Sequence, residues 1–374
     1  MSQRFIPVAA PVLAGNEKAY VLDCIESSWI SSCGKYVEKF ESAFAEFCGV
    51  RYAVSCSSGT AALHVALMAL GIGPGDEVIV PTLTFVATAN AVTYCGGRPR
   101  FVDIEPDTWT LDAALIEAKI TARTKAILPV HLYGHVANMD AITEIARRHN
   151  LFVVEDAAEA HGAEYRGRRV GSLNDVGAFS FYGNKIIACG EGGMVVTDSE
   201  ELGRYAAQLR GQGMDLKQRY WFPIVGYNYR MPNLTAAVGL AQLERIDWHV
   251  RRRREVASWY REILGDVPGI GWQAAPECRQ SVDWLFTITL EEPVRISRDD
   301  VIAGLAERGV ETRPVFYPMH VLPPYREMGK EDGDFPVADR VARSGLSLPT
   351  WAGLEHEDVV YVCDALLECI GDAK

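Results

Sequence analysis

The sequence predicts an α/β fold: a mostly parallel sheet of about seven strands, followed by a smaller α+β domain. Two observations lead there. Between residues 51 and 200, short Val/Ile/Leu-rich runs alternate with segments of helical periodicity, the rhythm of βαβ units. Those runs are almost continuously apolar, as befits strands covered on both faces. Near residue 246 the rhythm ends, and the expected division is a large domain over 1–245 and a small one over 246–374.

Taken in order, Val12 to Ser28 and Tyr36 to Phe47 carry helical periodicity. Between them, Trp29-Ile30-Ser31-Ser32-Cys33-Gly34 reads as a loop with an exposed tryptophan. Tyr52 to Ser55 is strand-like, and Ser57-Ser58-Gly59-Thr60 opens a helix that runs to Leu70. Glu77 to Val80 is a second strand and Phe85 to Tyr94 a second helix of the repeat. Pro99 to Ile104 is a strand, Ala114 to Ile120 a helix, Ala126 to Val130 a strand, Met139 to His149 a helix. Leu151 to Glu155, Gly177 to Phe181 and Met194 to Thr197 complete the strands. Leu234 to Leu264 reads as one or two long helices carrying Arg251-Arg252-Arg253-Arg254. In an acidic chain without interleaved aromatics, those arginines predict a solvated helix face. Trp284 to Leu290 is an alternating strand, and Arg298 to Gly309 is a helix. Thr312 to Tyr317 is extended, and Leu354 to Ile370 forms a last helix.

Composition excludes several classes. A net charge of −12 and a pI near 5.2 argue against nucleic acid as the main partner. No apolar run is long enough for a transmembrane helix, and the first residues lack a signal peptide's apolar core. Nine scattered cysteines without a C-x-x-C pair predict a reduced, cytoplasmic protein with neither a disulfide framework nor a metal site. Gly71-Ile72-Gly73-Pro74-Gly75-Asp76 follows a helix and precedes a strand, the wrong order for a dinucleotide fingerprint.

In open α/β sheets, ligands bind beyond the carboxyl ends of the strands. Three groups sit there. Small residues at Ser57 to Thr60 let backbone N–H groups at a helix start reach a phosphate, although they also suit an ordinary cap. Asp156 follows Phe152-Val153-Val154, so its carboxylate lies at the mouth of the sheet. Buried there, it needs a cation or donors, and a protonated pyridine nitrogen would serve; capping the next helix is the alternative. Ser180 and Lys185 lie in Phe179-Ser180-Phe181-Tyr182-Gly183-Asn184-Lys185, ahead of Gly190-Glu191-Gly192-Gly193. A lysine walled by aromatics and glycines loses its proton more readily, and a neutral amine attacks carbonyls. The alternative is a stem packed on Tyr182 with its amine in water. Phosphate cradle, carboxylate and lysine together are the needs of pyridoxal phosphate.

At these residues the chain resembles the DegT/DnrJ/EryC1/StrS family of sugar aminotransferases, pyridoxal-phosphate enzymes with the aspartate-aminotransferase fold (fold type I). Matching stretches run nearly the whole length: Trp29 to Ser32, Ser58 to Leu63, Glu155 to Ala158, Asn184-Lys185, Gly190 to Gly193, Gly226 to Met231 and Thr312 to Pro314. The resemblance implies a role for each position. Lys185 would carry the cofactor and shuttle the proton, and Asp156 would pair with the ring nitrogen. Glu159, where many members have Gln, would approach the ring hydroxyl, and Phe85 would stack on the ring. Ser58, Gly59, Thr60 and Ser180 would hold the phosphate, and Asn228 would complete the partner's phosphate site in a homodimer. Trp29, Ser31, His161, Arg219, Tyr220, Arg313, Tyr317 and His320 would lie around the substrate, with Arg219 or Arg313 suited to a diphosphate. Family members with histidine in place of this lysine are sugar 3-dehydratases, so Lys185 favours transamination.

Within the family, Val130 to Gly134, Leu209 to Met214, Arg219 to Trp221 and Arg313 to His320 look most like members acting on a GDP-linked sugar. Those members transfer the amino group of L-glutamate to C4 of GDP-4-keto-6-deoxy-D-mannose for O-antigen polysaccharide. A UDP- or dTDP-linked keto sugar, and a non-catalytic cofactor-binding regulator, remain as alternatives.

Overall fold

A computed structural model describes residues 4–371. Its centre is a sheet of seven strands. They are β1 (Tyr52–Cys56), β2 (Glu77–Pro81), β3 (Arg98–Val102), β4 (Thr124–Ile127), β5 (Phe152–Asp156), β6 (Val176–Ser180) and β7 (Gly193–Thr197). Their spatial order is β1-β7-β6-β5-β4-β2-β3. The pairs from β3 through β6 are parallel, whereas β7 runs antiparallel to both β6 and β1. The mostly parallel α/β sheet is as the sequence predicts. Every residue of β2, β6 and β7 is buried, which accounts for their near-continuous apolar character.

Helices α1 (Glu17–Glu26), α2 (Lys35–Cys48), α3 (Gly59–Ala69), α4 (Ala87–Tyr94), α5 (Met139–His149), α6 (Glu200–Arg210) and α7 (Asn233–Leu243) accompany this sheet. The helix expected from Val12 starts only at Glu17, after Asn16; Gly15, a poor helix former, lies within the expected stretch. The helix expected over Ala114 to Ile120 is two 3-10 turns, Ala113–Leu115 and Glu117–Lys119. The long helical stretch after Leu234 is two helices, α7 and α8 (Ile246–Leu264), separated at Glu244-Arg245.

Beyond α8, β8 (Ile270–Trp272), β9 (Phe286–Leu290), β10 (Arg313–Pro314) and β11 (Gly345–Leu348) form an antiparallel sheet ordered β8-β9-β11-β10. Helices α9 (Arg298–Glu307), α10 (Arg326–Asp332), α11 (Pro336–Ser344) and α12 (His356–Gly371) complete the chain. A second apolar core gathers Val256, Tyr260, Phe286, Leu346 and Leu366 with Ile6 from the other end of the chain. Val315, Met319, Tyr325 and Phe335 pack instead on the large-sheet core. Helix α8 touches both, through Ile246 and Val250 on one side and Val256 and Tyr260 on the other.

The arginine run on α8 is not the solvated face expected. Arg251 is exposed, but Arg253 is buried and Arg252 and Arg254 are half-buried. Arg252 donates to the carbonyls of Ala352 and Leu354, Arg253 to those of Trp284 and Thr350, and Arg254 to that of Ser281. Carbonyls where strands end lack ladder partners, and guanidinium forks satisfy them.

Candidate active site

The carboxyl ends of β1, β5 and β6 bring the expected residues together. Ser58 caps α3, its Oγ accepting from the Ala61 amide at 3.1 Å. Gly59 packs on the end of β6, where an added Cβ would lie 2.6 Å from Ser180 Cβ. Glycine is thus required for this close approach. Thr60 is the second residue of α3 and Ser180 packs on the first, so both adjoin the helix end whose free N–H groups favour an anion.

Asp156 ends β5 and is buried. Its Oδ2 accepts from Thr88 Oγ1 at 2.7 Å and its Oδ1 from the Ala158 amide at 3.2 Å. Thr88 is linked in turn to Thr84 at 2.9 Å. Burial raises the pKa of this carboxyl, while the two donors pull it down. Glu155, one residue earlier, points to the opposite face. There it accepts from the amides of Gly171 and Leu173 and pairs with His131 at 3.1 Å.

Glu159 is also buried. Its Oε2 accepts from the Tyr133 amide at 2.8 Å, and its Oε1 lies 3.5 Å from Lys185 Nζ. Tyr133 adopts a left-handed conformation, φ +55°, uncommon for a residue with a side chain. Gly134 follows at φ +92°, and a Cβ there would crowd Val282 and the Trp284 amide. This turn aims the Tyr133 N–H at Glu159.

Lys185 is desolvated, its side chain 11% exposed. The wall is not Tyr182, which is half exposed, but Trp284, whose ring centroid lies 3.8 Å from Nζ. Trp284 Nε1 donates to the Asn184 carbonyl at 2.8 Å. Burial lowers the lysine's pKa, against the attraction of Glu159 and Asp156. Two buried carboxylates therefore share one buried amine, and Asp156 is hydrogen-bonded by neutral donors only. That donor set suits a cationic heterocycle with a phosphate tail.

Phe85 is 53% exposed and lies 5.6 Å from the Phe316 ring. Phe316 stacks on Tyr133 at 5.5 Å, and Tyr133 on Trp284 at 6.2 Å. Sequence reasoning missed Thr88, Tyr133, Trp284 and Phe316. Nothing in local spacing marks them, since each meets the site through a residue distant in the chain.

The expected substrate residues divide. Trp29, Ser31, Arg219, Tyr220 and Tyr317 are exposed, and Arg313 is half-buried. The carbonyls of Trp29 and Ser31 are held by Asn233, at 2.7 and 2.6 Å. The charge of Arg313 acts on Lys185, which places it within electrostatic reach of the site. Arg219 stacks on Tyr220 in a loop that also exposes Leu216, Trp221 and Phe222. Asn228 is exposed, its Oδ1 accepting from Arg230 at 3.3 Å.

Two histidines do not face a substrate. His161 is fully buried among Phe44, Phe179 and Phe181, and neither ring nitrogen has a hydrogen-bond partner. Burial pushes its pKa to about 3, so it is a neutral wall of the core. His320 spends both nitrogens on Thr82 (2.7 Å) and Asp339 (3.0 Å) and stacks on Phe335, bracing its segment.

Two surface grooves, of about 290 and 390 Å³, lie around Phe47 and Arg169, and neither includes Lys185. Among the described residues, no cluster of three or more His, Cys, Asp or Glu could hold a metal, and no helix is long and apolar enough to cross a membrane.

Residues 11–367 match the model of the DegT/DnrJ/EryC1/StrS aminotransferase family. The chain is similar to a GDP-perosamine synthase of Caulobacter vibrioides, at 54% identity over 96% of this chain and 97% of that one. It is 45% identical to a GDP-perosamine synthase of Escherichia coli O157:H7, over 99% of this chain and 100% of that one. Among solved structures it resembles S. venezuelae DesV in complex with a ketimine intermediate, with a TM-score of 0.90 and 41% identity over 96% of this chain and 95% of that one.

Proposed function

The chain belongs to the DegT/DnrJ/EryC1/StrS aminotransferase family, and from that premise we propose that it transfers an amino group from L-glutamate to C4 of GDP-4-keto-6-deoxy-D-mannose, giving GDP-perosamine and 2-oxoglutarate. The observation that carries the reading is Lys185, a buried amine 3.5 Å from Glu159 and 3.8 Å from the Trp284 ring. Similarity to two GDP-perosamine synthases over nearly the full length directs the choice of sugar.

The residues fit pyridoxal 5′-phosphate. Asp156 would face the ring nitrogen, Glu159 the ring hydroxyl and Phe85 the ring face. Ser58, Gly59, Thr60 and Ser180 would hold the phosphate, and Lys185 would meet the aldehyde. Bound there, the cofactor supplies an electron sink for the pair left behind when a C–H proton departs. The chain's own residues do the rest. Lys185 Nζ takes the α-proton of glutamate and, in the second half of the cycle, delivers a proton to C4 of the sugar. A base for this work needs a lowered pKa, and burial lowers that of Lys185. Thr88 and the Ala158 amide favour the ionised form of Asp156, opposing the rise that burial gives its pKa. Trp284 and Glu159 exclude water from the amine.

The working unit is a homodimer in the cytoplasm, in which Asn228 reaches the partner's phosphate site. The exposed apolar loop bearing Leu216, Trp221 and Phe222 supports that reading. Arg219 and Arg313 would meet the diphosphate, with Trp29, Ser31, Tyr220 and Tyr317 around the sugar and base; the charge of Arg313 reaching Lys185 supports its part in this. The product would serve O-antigen or a related surface polysaccharide.

The test compares turnover of GDP-, UDP- and dTDP-linked 4-keto-6-deoxy sugars with glutamate as donor. The GDP sugar should be preferred, and Lys185→Ala should be inactive. Equal or faster turnover of a UDP or dTDP sugar would reject the GDP assignment, and a wild-type protein unable to aminate bound cofactor would favour a regulator. Mixing Lys185→Ala with Asn228→Ala chains should restore activity in mixed dimers; failure to do so rejects the cross-subunit role of Asn228.

A further inference from the structure

Arg253 is a buried cation whose partners are carbonyl oxygens, not a carboxylate. Burying such a charge is costly unless its donors are well used. Its Nη1 donates to the Trp284 carbonyl and to the Thr350 carbonyl, each at 2.7 Å. Its Nη2 reaches the Lys185 carbonyl at 3.4 Å. These carbonyls come from three places: the loop after β6, the approach to β9, and the segment after β11. One guanidinium thus converges the main chain of Lys185 on that of Trp284. The indole closes the loop from the other side, with Nε1 on the Asn184 carbonyl and its ring against Lys185 Nζ.

We propose that Arg253 and Trp284 form a clamp for the catalytic lysine, Arg253 fixing the main chains of both residues so that the indole face receives the Lys185 ammonium whenever the amine is free. Arg253 is a positioning residue, acting through others, while Trp284 touches the reacting nitrogen. The clamp gives the lysine a defined resting place during each half-reaction, so the amine returns to the same point. The proposal rests on Lys185 as the amine that does the chemistry.

The groups facing that amine are Glu159 and Asp156 from the end of β5 and beyond, and Arg313 from β10. Arg253 from α8 adds its charge beneath the main chain, and His161 is neutral. None of these changes when the indole is replaced, so the effect of the ring can be isolated.

The test uses the cofactor-free full chain. Competitive labelling of lysines with acetic anhydride across pH, read by mass spectrometry, gives the Lys185 pKa with the other lysines as controls. Trp284→Leu removes the π face and should lower that pKa by about one unit, a tenfold loss of proton affinity. Trp284→Phe keeps a ring, though a weaker one, and should lower the pKa by clearly less than Trp284→Leu. In the loaded enzyme, Trp284→Leu and Arg253→Met should lose about tenfold or more in kcat with KM for glutamate changed little, because positioning is lost rather than binding. Arg253→Lys, which keeps the charge but not the fork, should recover part of that loss. A Lys185 pKa in Trp284→Leu that is unchanged, or raised as entry of water would raise it, overturns the proposal. So does wild-type kcat in a folded Arg253→Met. If Arg253→Met fails to fold, the two Trp284 variants decide alone. Because the labelling needs neither cofactor nor sugar, its outcome is independent of whether the proposed reaction is correct.

Discussion

Gly59→Ala probes the packing between the α3 N-terminus and β6, without reference to any ligand. An alanine Cβ would lie 2.6 Å from Ser180 Cβ, 3.0 Å from its Oγ and 3.2 Å from its Cα. Carbon atoms settle near 3.5–4.0 Å apart, so the helix start and strand end must separate by about 1 Å. Overpacking of this kind costs about 1–3 kcal/mol. Alanine's better helix propensity returns about 0.5–1 kcal/mol. The net expectation is a destabilisation of about 0–2.5 kcal/mol, centred near 1, measured by urea unfolding of the cofactor-free chain. The cause can be isolated. Ser180→Gly removes the nearest atom, so the Gly59→Ala/Ser180→Gly double variant should regain most of the loss. Gly59→Ala/Ser180→Ala should not, since that Cβ stays. If Gly59→Ala costs the same in the Ser180→Gly background as in wild type, within about 0.3 kcal/mol, the steric account is wrong.

Two more variants test buried polar groups in and behind the site. His161 titrates near 3 in the folded chain against an ordinary 6.5, so the unfolded state binds the extra proton between those values. Stability is whole above pH 6.5 and is lost as pH falls; at pH 4.5 the loss from this one group is about 3 kcal/mol. His161→Phe, which suits the surrounding phenylalanines, should therefore lose less stability than wild type between pH 6.5 and 4.5. His249, lowered to about 4, leaves some slope in both. An unchanged acid dependence in His161→Phe would show that the residue is not buried as a neutral ring. Thr88→Val removes the 2.7 Å donor from Asp156 Oδ2 at nearly constant volume. The stranded carboxylate should weaken pyridoxal phosphate binding by about 1–3 kcal/mol and raise the acidic limb of the pH–rate profile. Unaltered affinity in a fluorescence titration would dismiss the Thr88 contribution.

The residues gathered at the candidate site were legible because each announces itself within a few residues. Asp156 ends an apolar strand, Lys185 stands among glycines and aromatics, and Gly59 opens a helix after a strand. The sheet was legible for the same reason, since burial on both faces leaves continuous apolar runs. What local sequence could not state is which side chains meet across it. His161 looked like a functional histidine beside Asp156, yet Phe44 on α2, with Phe179 and Phe181, packs aromatic rings against it and seals it off. His320 likewise stands in a promising loop, but Thr82 and Asp339 occupy both its nitrogens. The arginines of α8 look solvated in sequence because their acceptors are main-chain carbonyls, which leave no trace in residue identity.

This separation has a physical meaning for the site. Its charges come from the ends of neighbouring strands in the large sheet, Asp156 and Glu159 near β5 and Lys185 beyond β6. Its dryness comes from elsewhere: Trp284 at the approach to β9, and Tyr133 in a strained turn held by Val282 and Trp284. A lysine beside two carboxylates in water would be a firmly protonated amine. What lowers its pKa is burial, the first cause acting on Lys185, opposing those same carboxylates. The wall that provides this burial belongs to a segment about 100 residues away and is held by Arg253 on α8. The burial of Lys185, and with it the lowering of its pKa, is therefore set by the junction between the two sheets at least as much as by the strand ends that carry the charges.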